Sequence, residues 1–177
     1  MKLRTDHMAR SLVPSSSSLP AKGLARILIV VALAGSLLSL SVHVLTLFGY
    51  YSEFLFHLEA RLFIVLFALV IFTVSAQERL RSEFSTAEKM SFGFGSKIFW
   101  RILASAPKWL RWASATLFLY AVLSFAVFAV VTSQAQFGGQ LNFLRLLSAY
   151  FAAFFLGAAT LLAAYVRSNG PLKRSEL

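Results

Sequence analysis

The sequence predicts an all-α integral membrane protein: a four-transmembrane-helix bundle with a short amphipathic interfacial helix before the third span. Three observations carry this. The 177-residue chain is 58% hydrophobic and only 14% charged, with a mean hydropathy of +0.73. A water-soluble domain with so little polar residue could not cover its surface. Four stretches lack Asp, Glu, Lys and Arg, at 27–52, 62–77, 112–144 and 146–166, and formal charge is what a bilayer interior excludes. The apolar runs are also continuous, as in "RLFIVLFALVIFTVSA", whereas the strands of a membrane barrel alternate apolar and polar residues.

A crossing needs about 20 mostly apolar residues. The first and fourth stretches meet this directly. The second is short, and "SEFLFHLEARL" ahead of it extends the helix back to about Phe54, which leaves Glu59 and Arg61 near the interface, paired or snorkelling. The third is too long for one crossing. It contains the polar segment "TSQAQFGGQLN" with its Gly138-Gly139 pair, a breaker signal that ends the span near Thr132. The expected spans are about 25–48, 55–77, 111–132 and 144–166, joined by a cytoplasmic loop at 78–110 within a transmembrane domain at 24–177. Residues 1–23 read as a disordered basic arm, because "VPSSSSLPAKG" has almost no apolar face.

The formal net charge is +10, and its placement matters more than its size. Lys2, Arg4, Arg10, Lys22 and Arg26 precede the first span. Seven Lys and Arg residues lie from Arg79 to Arg111, and Arg167, Lys173 and Arg174 follow the fourth span. Only Arg61 and Arg145 fall on the other side. Basic residues concentrate on cytoplasmic loops, so both termini are expected inside, in a bacterial cytoplasmic membrane. The charge is read as orientation signal rather than as a nucleic-acid footprint. The alternative of a cleaved signal peptide is disfavoured because the basic arm is long and the first apolar run exceeds the usual length.

Residues 78–91, "ERLRSEFSTAEKMS", continue the second helix with a stripe of Leu80, Phe84 and Ala87, and "FGFGS" ends it. The next segment, "SKIFWRILASAPKWLR", places Lys97, Arg101, Lys108 and Arg111 within an arc of about 80° on a helical projection. Ile98, Phe99, Ile102, Leu103, Trp109 and Leu110 oppose them. A basic face against an aromatic-aliphatic one is the pattern of a helix lying in the interface plane. Pro107 interrupts a continuous helix. The expected arrangement is therefore an interfacial helix at about 96–105, then a bend with Ser105 as N-cap of the third span. Lys97, Arg101, Lys108, Trp109, Arg111 and Trp112 form a membrane-surface set that meets anionic lipid. The plain reading is a membrane anchor; the sharper one is a docking surface.

Chemistry is sparse. There is no cysteine, and no motif for a metalloprotease, a nucleophile elbow or a nucleotide loop is present, so neither an enzyme nor a resident cofactor is expected. His43 and His57 lie at similar distances from the turn near residues 50–52. Facing each other, they would be candidate haem ligands or the border of a quinone pocket. No span carries an acid at its centre, so a carrier or pore would need an oligomer. In the fourth span Ala149, Ala153 and Gly157 recur every fourth residue, and Gly35 with Ser39 offers a similar surface in the first. Small residues on one face let membrane helices approach closely, within the bundle or against a second subunit. The resulting expectation is a small accessory or regulatory membrane subunit, with partners in the bilayer: anionic lipid, a membrane protein or further copies of itself. The alternatives are a small oligomeric channel or transporter, and a haem- or quinone-binding redox subunit.

Overall fold

The computed structural model describes residues 18–82, 103–134 and 139–167. Four long helices make up almost all of this: α1 (Ser18–Leu47), α2 (Glu53–Ser82), α3 (Lys108–Gln134) and α4 (Gln140–Arg167). Each contains a stretch long and apolar enough to cross a membrane. At 1.5 Å per residue, the 30 residues of α1 and of α2 each extend about 45 Å, beyond the roughly 30 Å of a hydrocarbon core. The helices therefore run past the expected spans at most ends, by a few residues.

Local chemistry explains the boundaries. α1 is stopped by Gly49, two residues past its last helical residue, whose φ of +82° is a conformation L side chains rarely adopt. Gly49 N–H donates to the Thr46 carbonyl (3.1 Å) and Tyr50 N–H to the Leu45 carbonyl (3.0 Å), the paired bonds of a Schellman cap. Ser52 then caps α2, its hydroxyl and carbonyl oxygens both accepting from Leu55 N–H. The turn between α1 and α2 is thus short and specified at both ends.

Two boundaries differ from expectation. α1 starts at Ser18, so the last six residues assigned to the arm are helical. Pro20 falls in the first turn, where its missing N–H has no intrahelical acceptor to lose. Ser105 lies two residues ahead of the cap position of α3, in the turn before Pro107, and donates to the Ala164 carbonyl of α4 (3.2 Å). Pro107 takes the cap position, its carbonyl accepting from Arg111 N–H (3.1 Å). Most of the expected interfacial helix, including Lys97 and Arg101, lies outside the described residues. Of its three described residues, Leu103 and Ala104 are helical and Ser105 lies in the turn.

α4 is the hub. It packs against all three other helices, most extensively against α1. Of its apolar stretch 61% is buried, against 6% for that of α3. Phe155 and Leu162 of α4 are fully buried among Leu62, Leu66 and Leu69 of α2 and Ala32 of α1. Phe63 stacks on Phe151 with ring centroids 5.7 Å apart.

The small residues divide by role. Ala149 and Ala153 are buried. Gly157, third in that stripe, borders open space: a Cβ there would meet nothing within 4 Å. Gly35 is the close-approach glycine. A Cβ on it would fall 2.6 Å from the Phe155 ring, which is itself fully enclosed and has nowhere to go. Gly35→Ala is expected to lower stability by about 1–3 kcal/mol through overpacking. Gly157→Ala should be neutral or gain up to about 1 kcal/mol from helix propensity. Unfolding of the two variants side by side in detergent, followed by circular dichroism, checks the contrast.

Candidate functional site

Polar side chains on α1 line up along one buried face. Ser36, Ser39, His43 and Thr46 are all buried, and their spacing of three, four and three residues is that of a single helical stripe. Each is answered from another element or from the backbone. Ser36 donates to the Ala152 carbonyl of α4 (3.0 Å). Ser39 donates to Glu59 Oε2 of α2 (3.2 Å). Thr46 donates to the carbonyl of His43 (2.7 Å).

His43 is the centre of the group. Its Nδ1 is 2.8 Å from the Arg145 carbonyl. A carbonyl only accepts, so Nδ1 carries the proton. Nε2 is then the acceptor of the neutral ring, and the Tyr120 hydroxyl, 2.6 Å away on α3, donates to it. The two rings meet edge to face at 5.4 Å. Ser148 donates to the same Arg145 carbonyl (3.0 Å). Three helices are thus pinned together at one imidazole.

Arg145 crosses back to α1. Its Nη2 donates to the Thr46 carbonyl (2.6 Å), one of the last carbonyls of α1, where a cation also meets the negative end of the helix dipole. Its Nε is buried with no hydrogen-bond partner. A second, smaller polar seam joins α3 to α4, where the Ser114 and Thr160 hydroxyls lie 2.6 Å apart and both reach the Leu156 carbonyl.

Beside the His43 cluster is a cavity of about 460 Å³ between α1, α3 and α4. His43, Tyr120, Ser124, Asn142 and Arg145 supply its polar lining. Leu47, Leu123, Val127, Phe128 and Leu146 supply the apolar wall.

The two histidines do not form a pair. His43 is 3% exposed with both nitrogens engaged toward α3 and α4. His57 is exposed, in edge contact with its neighbour Phe56. Equal distance from a turn sets depth but not the direction in which a side chain leaves its helix, and the latter decides the matter here. Among the described residues no three His, Asp or Glu side chains converge as a metal site would require.

Glu59 also departs from expectation. Instead of snorkelling or pairing with Arg61, it is fully buried, with Oε2 on Ser39 and Oε1 without a partner. Arg61 is exposed. Residues two apart on a helix point to nearly opposite sides, so the two side chains part company. Of the membrane-surface set, Trp109 and Trp112 are well exposed at the start of α3, Lys108 is exposed, and Arg111 is half-buried.

Sequence reasoning missed the convergence of Tyr120 and Arg145 on His43. The signal that would have found part of it is the α1 stripe itself, four polar side chains at helical spacing on one face of a largely apolar helix. No family model, curated protein or solved structure matches the chain.

Tyr120→Phe removes the donor to His43 Nε2 and keeps the ring. Hydrogen bonds between helices in membranes are worth roughly 0.5–2 kcal/mol, and a loss of that size is expected in detergent unfolding. The His43 imidazole nitrogens, ¹⁵N-labelled and observed by NMR, should shift at Nε2 far more than at Nδ1.

Proposed function

We propose that the chain is a non-enzymatic integral membrane protein that crosses a bacterial cytoplasmic membrane four times, with both termini inside. It acts as an accessory or regulatory subunit, through helix–helix contacts and a basic cytoplasmic surface that meets anionic lipid. The observation that carries this is the inequality of the helices. α4 is consumed by packing, while only 6% of the most apolar 18-residue window of α3 is buried. Its outer face presents Phe118, Leu119, Val122 and Phe125, an aromatic-rich side suited to a helix of another protein. The polar groups of the bundle are mostly engaged in holding helices to one another.

Reporter fusions at the two ends and within 83–102 should all be cytoplasmic. A photo-crosslinking side chain at Leu119 should give a discrete protein adduct in native membranes, and one at Phe67 on α2, also exposed, should give only lipid. Lipid adducts at both positions would remove the support for a partner on α3.

Glu59 favours a second reading, a small oligomeric channel or transporter. An acid inside a bundle at membrane depth marks a proton or ion pathway by default, and this one has an oxygen with no protein partner. Proteoliposomes carrying the chain should then show proton or cation flux that Glu59→Gln reduces at least tenfold, or about 1.4 kcal/mol. Equal flux from both proteins ends that reading.

A further inference from the structure

We infer that the cavity between α1, α3 and α4 is a binding site for an anionic amphiphile, with a phosphate or carboxylate head on Arg145 and an acyl chain along the wall of α3. The inference rests on the membrane arrangement proposed above, but needs neither its partner protein nor its orientation.

The charge argument comes first. Arg145 is a half-buried guanidinium whose side chain has one protein acceptor among the described residues, the Thr46 carbonyl. Five N–H donors are present on a guanidinium, and Nε is enclosed without a partner. No Asp or Glu occurs anywhere between Glu88 and Glu176, so α3, α4 and the segment joining them contain no counter-ion. The nearest acids in sequence to the α1–α2 turn are accounted for: Glu53 is exposed and Glu59 is turned to Ser39. A partly desolvated cation without a counter-ion is costly at membrane depth. A head group that brings two or three acceptor oxygens satisfies it in the bidentate geometry that guanidinium favours.

The shape argument is independent. The cavity, at about 460 Å³, lies within the roughly 300–1,000 Å³ of small-molecule sites. Its polar groups are donors suited to an anion: the Arg145 guanidinium, the Asn142 amide and the Ser124 hydroxyl. The opposite wall is apolar, and Leu47, Leu123 and Val127 are each more than half exposed. Such a wall opens sideways through the helix surface, where acyl chains lie, and not only toward water. A soluble anion would use the polar end and gain nothing from that wall. A lipid uses both.

The test uses the full chain in phosphatidylcholine nanodiscs doped with phosphatidylglycerol, with lipid retention read by native mass spectrometry. The cytoplasmic basic residues also attract anionic lipid, so the difference between wild type and variants is what counts. Wild type should retain one phosphatidylglycerol more than a paired variant does. Arg145→Gln should reduce that retention about tenfold, the scale of one charge-assisted contact. Leu123→Trp fills the wall without touching the hydrogen-bonded cluster, and should reduce it similarly. It also keeps the test alive if Arg145→Gln does not fold. Retention unchanged in the folded variants overturns the site. Loss with Arg145→Gln alone, or displacement of the lipid by millimolar inorganic phosphate, overturns the acyl half in favour of a soluble anion. Alkaline carbonate extraction reports separately on membrane insertion, so failure of that arrangement is distinguished from failure of the site.

Discussion

Inside an apolar bundle a hydroxyl, imidazole or carboxyl finds its hydrogen-bond partner on the protein or goes without, and this constraint organises the helices. α1 brings four such groups on one face. Their partners lie on α2, α3, α4 and the backbone, so satisfying α1 fixes the rotation of α1 about its own axis and the depth of its neighbours. Apolar packing alone would leave both loosely specified, because Leu and Val surfaces slide past one another at little cost. His43 is the strongest of these constraints. One ring sets a carbonyl of α4 and a hydroxyl of α3 at defined positions, and the tautomer follows from the carbonyl.

Arg145 has two roles that do not conflict. Through Nη2 it gives the Thr46 carbonyl a second donor beside Gly49 N–H and brings a positive charge to the negative end of α1. With its remaining donors it borders the cavity. The α1 cap orients the guanidinium, and an oriented guanidinium binds an anion with less ordering to do. The same residue that completes the bundle thereby prepares the site beside it.

The helices were legible because charge and length at membrane scale leave few choices. The gaps between Arg26 and Glu53, and between Arg145 and Arg167, can hardly be anything but long apolar helices. Turn chemistry was legible in part: the α1–α2 turn fell where expected, but the cap of α3 falls on Pro107 rather than Ser105, whose hydroxyl reaches a tertiary acceptor, the Ala164 carbonyl, that local rules cannot see. The candidate site was legible only in its polar residue types. His43 stood out, but its natural companion in sequence was His57, which faces away. Tyr120 and Arg145 are 77 and 102 residues distant from His43, and nothing local connects them. Glu59 was misplaced for a related reason: its neighbour Arg61 suggested a pair, whereas helical phase separates them. The glycines show the same limit. The four-residue stripe drew attention to Gly157, while the backbone that truly needs a missing Cβ is at Gly35, because Phe155 stands opposite.

The order of the helices along the chain has a consequence for biogenesis. The element that contacts all the others, α4, is the last of the four to be synthesised. Until it arrives, Ser36 lacks the Ala152 carbonyl it donates to, the His43 ring lacks the Arg145 carbonyl, and the notch at Gly35 is without Phe155. The first three helices are therefore an incomplete assembly until α4 closes the bundle.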